Sequence, residues 1–173
     1  MLGPNPVHQI CFIVPDLEAA MRQWQQSTRC GPFFTLEKVS PENTVYRGTP
    51  TFLEMNVGFA QAGPVQVELI QPLSTEPSAY TDSVARGTTG FHHVCYWIDD
   101  FDAEAARYHA MGVETAFSAS FGTMRFAYYD TRALIGCMTE TLEQDEGVRA
   151  LFEKVRIAAE GWDGHDPVRP LVG

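Results

Sequence analysis

Two stretches decide the fold: Gln9-Ile10-Cys11-Phe12-Ile13-Val14-Pro15-Asp16-Leu17-Glu18-Ala19 and His93-Val94-Cys95-Tyr96-Trp97-Ile98-Asp99-Asp100-Phe101-Asp102-Ala103. They stand at a constant offset of 84 (93 minus 9), with cysteine over cysteine, aromatic over aromatic and Asp16 over Asp100. The preceding residues agree too, His8 with His92. Such self-similarity means that one supersecondary unit is used twice. In each copy a run rich in Val, Ile, Phe, Tyr and Trp, 7–14 and 91–98, predicts a strand. Both runs are apolar almost throughout, as in a sheet covered on both faces. Asp16 and Asp100 then read as helix N-caps, because their carboxylates can accept the free N–H groups of a first turn. Leu17, Ala20, Met21 and Trp24 recur at helical spacing, as do Phe101, Ala105, Tyr108 and Met111. Gly112 is expected to end the second helix in the left-handed conformation.

Working outward, strand signals over 51–60 and 65–71 flank a turn at Ala62-Gly63-Pro64. In the second half, 124–129 and 134–141 flank Asp130-Thr131-Arg132. The fold class is therefore α+β: tandem βαβββ modules forming an open, cleft-lining, barrel-like sheet, followed by a helix and a tail. Residues 1–173 form a single domain, with modules at 7–73 and 91–143. The linker 74–90 carries a short helix near 80–84. In 144–173, Val148, Leu151, Phe152 and Val155 stripe an amphipathic helix over 146–159, and an extended tail follows.

Composition sets the outer limits. With 173 residues, 45% of them hydrophobic, the chain can bury one substantial core. Twelve Lys+Arg stand against 22 Asp+Glu, a net charge of −10 that argues against nucleic acid and anionic membrane surfaces as partners. No apolar run approaches the roughly 20 residues that span a bilayer. The beginning, MLGPNPVHQ, shows no basic stretch followed by an apolar one. The cysteines Cys11, Cys30, Cys95 and Cys137 lack CxxC spacing and are expected to be free thiols in a reducing, cytoplasmic compartment.

Strand alternation then selects the residues that look inward. The first helix must cover the more apolar set, Ile10, Phe12 and Val14, which turns Gln9, Cys11 and Ile13 away from it. The second copy places Val94, Tyr96 and Ile98 under its helix and His93, Cys95 and Trp97 on the far side. His8 and His92 fall on the helix side. Two related half-sheets with polar inner faces suggest a shared cleft. Glu68, within Val65-Gln66-Val67-Glu68-Leu69-Ile70, is out of place in a buried strand unless paired or ligated. Glu140, within Gly136-Cys137-Met138-Thr139-Glu140-Thr141, matches it in the second half.

Three phrases, Gly90-Phe91-His92-His93-Val94 followed by Asp99-Asp100, Val67-Glu68-Leu69-Ile70-Gln71-Pro72-Leu73, and the ending from Gly136 to Glu140, resemble the vicinal oxygen chelate superfamily. That group holds glyoxalase I, methylmalonyl-CoA epimerase, extradiol dioxygenases and bleomycin-resistance proteins. The resemblance covers about residues 7–143 and is similar above all to the epimerase-like members; the tail has no counterpart in it. It implies a metal site at Gln9, Glu68, His93 and Glu140. Epimerases usually have His where Gln9 stands, whereas some glyoxalase I enzymes have Gln there. One imidazole with several oxygens and no thiolate suits a divalent ion, Zn, Co, Ni, Mn or Mg.

The implied chemistry is that of a glyoxalase-type lyase or an epimerase: proton transfer next to a metal-polarised carbonyl through an enediolate, with Glu140 and Glu68 as catalytic carboxylates. Trp97, Phe52, Met55 and Tyr128 are expected to line the substrate pocket with Phe126. Plainer roles stand beside these: hydrogen-bonded Gln9 and His93, solvated acids, aromatics that are only core. Glu54 reads as a strand acid facing solvent or, alternatively, as a second base in the cleft. The alternative functions are a metal-free small-molecule binding protein and an extradiol dioxygenase, which wants two histidines and one carboxylate. Arg29, Arg47, Arg86, Arg125 and Arg132 are the cations available to the phosphates of a coenzyme A thioester. The resemblance also implies a homodimer acting on a small molecule.

Overall fold

Residues 5–172 are described by the computed structural model; the first four residues of the N-terminal stretch quoted above lie outside that span. Strand β1 (Gln9–Ile13) leads into helix α1 (Leu17–Thr28), and strand β7 (Gly90–Ile98) into helix α3 (Phe101–Ala110). The caps form as expected. Asp16 accepts the Ala19 N–H and Asp100 the Ala103 N–H, each at 2.9 Å. Gly112 adopts φ +73° just past α3, where a side chain would be strained.

After α1 come β2 (Phe33–Val39), β3 (Glu42–Tyr46), β4 (Thr49–Pro50), β5 (Met55–Ala62) and β6 (Val65–Pro72), then helix α2 (Ala79–Ser83). After α3 come β8 (Thr115–Phe121), β9 (Met124–Tyr129), helical turn α4 (Arg132–Ile135) and β10 (Met138–Glu143). Helix α5 (Glu146–Ala159) and strand β11 (Val168–Pro170) complete the described chain. The expected strand 134–141 therefore begins as a helical turn, because Gly136 at φ +85° closes α4 before the chain extends. The strands β2, β3, β8 and β11 carry mixed polar sequence and were not separable from loop by pattern alone.

All strands join one sheet in the order β11-β2-β5-β6-β1-β7-β10-β9-β8-β3-β4. Its centre is the antiparallel pair β1/β7, with Gln9 opposite Cys95, Ile10 opposite Val94 and Cys11 opposite His93. Because 94 is 10 plus the repeat offset, a pseudo-twofold axis passes through the Ile10/Val94 pair. Parallel pairing then sets Glu68 beside Cys11 and Glu140 beside Cys95, so register alone makes the two acids equivalent. The β3–β4 hairpin leaves the first module and pairs with β8, the outer strand of the second. Only Ser40 and Pro41 join β2 to β3, a reach of at most about 11 Å. The far ends of the sheet are thereby drawn together, and it curls without closing. Both module edges are covered, β8 by β3 and β2 by β11, so the edges left on the open sheet are the short strands β4 and β11, which offer little to pair with.

Strand alternation holds around β1, whereas α3 packs mainly on β8, β9 and β10 rather than over Val94 and Tyr96 of β7. Val14, Leu17, Met21 and Leu69, with Ile10 and Phe12, pack under α1, while Cys11, Ile13, Met55, Phe126 and Met138 fill the concave side. It fails for His8 and His92, which do not share the helix side. Cys11 pairs with His93 and Phe12 with Phe91, which leaves His92 as the extra residue of a β-bulge. The twist carries its ring to Tyr80 and Tyr128 on the concave side. At the twofold-related place the His8 N–H donates to the carbonyl of Cys95, already the partner of Gln9. His8 accordingly stacks on Phe152 of α5, 5.4 Å between ring centroids.

Candidate functional site

The central strands deliver three ionisable side chains to one point. His93 is fully buried, and its Nε2 lies 3.0 Å from a Glu140 oxygen and 3.4 Å from a Glu68 oxygen. Neither oxygen lies where a ring N–H would point, so His93 Nε2 and Glu68 Oε2 are buried without a hydrogen-bond partner. An ionised group or lone pair left so is costly unless a cation or substrate completes it.

The tautomer follows from the neighbours. His92 Nε2 is 3.0 Å from the carbonyl oxygen of Ala79, which only accepts, so His92 donates there. Its Nδ1 is then an acceptor and receives the Nδ1–H of His93 at 2.8 Å. His93 Nε2 is left to face the acids, the orientation that a metal-ligating histidine needs. Burial, seconded by the charge of His93, pushes His92 down to about 3, which keeps it neutral. Burial also works against the His93 cation, but Glu140 and Glu68 outweigh it and raise His93 to about 9. Burial raises Glu68 above the ordinary carboxylate range despite the opposing pull of His93.

Gln9 is buried in the position twofold-related to His93. Its amide N–H donates to Gln66 Oε1 at 2.7 Å, and its side chain lines the cavity with Glu68 and Glu140. Cys11 was expected only to line the cleft, yet its sulfur, a Glu68 oxygen and a His93 nitrogen lie within 4.8 Å of one another. Its place two residues beyond Gln9 was the available signal. Burial, then the nearby Glu68, drives the Cys11 thiol far up, and burial with Glu140 does the same to Cys95, so both stay protonated. All four cysteines are free and buried.

A cavity of about 600 Å³, counting its mouth, rises from this floor. Met55, Phe126 and Tyr128 line it, while Trp97 and Phe52 do not. Trp97 shares the face of His93 but stands at the end of β7, where His8 and Phe152 cover it. Phe52 precedes β5, outside strand alternation, and is 53% exposed. Glu54, also before β5, is half-buried, its backbone carbonyl accepting from Leu73, and it is not part of the lining. Sequence reasoning missed His92 as the partner of His93, although the His-His pair marked the spot. It also missed Leu151 and Phe152 as cavity wall, although the stripe on α5 had to cover something.

The solved structures that superpose include a hypothetical protein from Bacillus halodurans C-125 (TM-score 0.58, 19% identity, 83% of this chain and 97% of that one). Methylmalonyl-CoA epimerase from Mycobacterium tuberculosis gives 0.55 at 16% identity, over 87% and 97% of the two chains. A Streptomyces coelicolor methylmalonyl-CoA epimerase variant, in complex with 2-nitronate-propionyl-CoA, gives 0.54 at 16% identity, over 82% and 99%. At these identities the likeness is one of fold. No curated protein matches the chain. The family model for the glyoxalase/bleomycin resistance protein/dioxygenase superfamily matches residues 8–128, a span that holds Gln9 on β1, Glu68 on β6 and His93 on β7, and to that superfamily the chain belongs.

Proposed function

We propose that the protein is an isomerase or lyase that moves a proton next to a substrate carbonyl, of the epimerase or glyoxalase type. The observation that carries this reading is the pair of twofold-related carboxylates flanking one buried imidazole nitrogen on the floor of an apolar cavity. The orphaned His93 Nε2 and Glu68 Oε2 fit a cation there, with Glu140 and Gln9 as further donors. A divalent cation so held would supply the Lewis acidity that acidifies the proton next to the carbonyl.

The chain's own residues do the rest. His92 fixes the His93 ring, and the apolar walls exclude water and strengthen electrostatic interactions within. Glu140 takes the proton at a carboxylate oxygen. Glu68, across the pseudo-twofold axis, returns one to the opposite face of the planar enediolate, or to the neighbouring carbon in the lyase variant. Glu68 holds that proton beforehand only when its carboxylate is released from the cation, whose charge otherwise favours the ionised form. An extradiol dioxygenase is less well supported, since one imidazole meets the acids while His8 stacks against Phe152.

The test is metal analysis of protein purified without chelator, then solvent-deuterium uptake into a 2-oxo or thioester compound. Bound divalent metal with exchange lost in Glu140→Gln is the expected result; no metal and no exchange overturns the reading. A second reading, a metal-free binding protein, draws on the apolar lining. It predicts ligand affinity that survives both removal of divalent ions and Glu140→Gln.

A further inference from the structure

One wall of the cavity comes from outside both modules. Val148, Leu151 and Phe152 of α5 and Leu171 of the tail face Met55, Phe59 and Phe126 of the sheet across it. This segment is fastened at both ends. Gln144 N–H donates to the Ile98 carbonyl at 2.9 Å, and Asp145 caps α5 by accepting the Val148 N–H at 3.0 Å. At the other end β11 pairs with β2, Lys154 donates to the Leu171 carbonyl at 2.7 Å and the Gln25 side chain to that of Pro167 at 2.6 Å. Trp162 packs so closely on Gly31 that a Cβ there would stand 2.5 Å from its ring. Helix α5 is therefore a fixed wall.

The lining holds two charged groups, Glu68 and Glu140, and no Lys or Arg. Nor do the five arginines noted in the sequence form a free cationic patch. Arg47 is held by Asp82 and Asp130, Arg86 by the carbonyls of residues 74–76, Arg125 by Glu143 and Asp102, and Arg132 by Asp130. Among the described residues only Arg29 of the five has no such side-chain bond. Away from the cation proposed at the floor, a charged group on an anionic ligand would lose its hydration without gaining a partner from the walls, in a chain of net charge −10.

We infer that the cavity takes a compact, uncharged, mainly apolar carbonyl compound clasped between α5 and the concave sheet, and that α5 sets this preference. The enclosed part of the cavity, about 110 Å³, holds about one ring, and a second ring has room only in the mouth. The inference rests on the reading of this cavity as the place of proton transfer. Its test uses probes that cannot react, so the two fail separately.

Full-length protein is titrated with 1-naphthylamine, which has two fused rings, is uncharged at neutral pH and has no carbonyl. A parallel titration uses 4-aminonaphthalene-1-sulfonate, the same aromatic body with a negative charge. The expected result is saturable one-to-one binding of the uncharged probe, at least about tenfold tighter than the sulfonate. Leu151→Trp, which fills the cavity from α5, weakens the uncharged probe by about tenfold or more. Val148→Lys, at a half-buried position where the stem can reach out, shifts the preference toward the sulfonate. Overturning results are no saturable binding of the uncharged probe, equal or tighter binding of the sulfonate, or both affinities unchanged in both variants. Failure of deuterium uptake with this pattern intact would remove the proposed reaction and leave the ligand class standing.

Discussion

Gln9 and His93 occupy the same place in the two halves, yet each is oriented differently. Across the parallel register Gln9 lies beside Gln66, whereas His93 lies beside Met138. In the first half the neighbouring strand therefore supplies the polar partner, and the Gln9 amide donates to Gln66. In the second half a thioether cannot do this well, and the partner comes from the same strand, His92, rotated inward by the bulge. Twofold backbone symmetry thus places donor atoms, but the atoms next to them decide which way each donor turns.

The largest expected effect breaks the asymmetry outright. His93→Gln makes the two halves alike and removes the one imidazole; deuterium uptake should fall by at least about a hundredfold, more than loss of an outer partner costs. Gln9→His, the reverse exchange, should retain activity within about tenfold of the parent, since both side chains can donate to a cation. Activity lost equally in both variants would show that the halves are interchangeable.

Next comes the orienting residue. His92→Ala leaves the His93 Nδ1–H without its acceptor and should weaken divalent-metal affinity about 10–100-fold, measured by competition with a chelating dye. Gln66→Met, which copies the second half into the first, should weaken it less, by up to about tenfold. A larger effect from Gln66→Met than from His92→Ala would reverse the comparison.

Smaller effects concern the contact between the halves. Arg47 on the β3–β4 hairpin of the first module holds Asp130 of the second, and Arg132 holds the same carboxylate in bidentate fashion. Arg132, then Arg47, keeps Asp130 well below the usual carboxylate range. Its folded proton affinity is depressed, so its contribution is present above the unfolded pKa and is lost as pH falls through the folded one. Asp130→Asn should cost about 1–3 kcal/mol at pH 7 by chemical denaturation, and the difference from the parent should shrink in acid. A difference independent of pH would contradict that origin. Smallest is the matched pair of caps: Asp16→Ala and Asp100→Ala should each cost about 1 kcal/mol, alike in both halves.

The repeat carried most of what could be read in the sequence. Two copies of one pattern, each with its Asp cap, gave the modules, the pseudo-twofold axis and the facing of Glu68, His93 and Glu140, because alternation and register are local consequences of strand geometry. His92 was misplaced because a single bulged residue reverses alternation, and nothing in Gly90-Phe91-His92-His93 announces the bulge. Phe52 and Trp97 were misjudged for a related reason. Pattern shows which face a side chain takes, but not how far along the strand the cavity extends. The wall formed by α5 depends on tertiary packing between distant segments, which no periodicity encodes.

The most direct test of the central claim is an anomalous-scattering measurement at the metal absorption edge, on crystals grown without chelator. The account predicts one strong peak bonded to His93 Nε2 and to oxygens of Glu68 and Glu140. An empty floor with His93 hydrogen-bonded to both carboxylates, or a peak bound elsewhere, would contradict it.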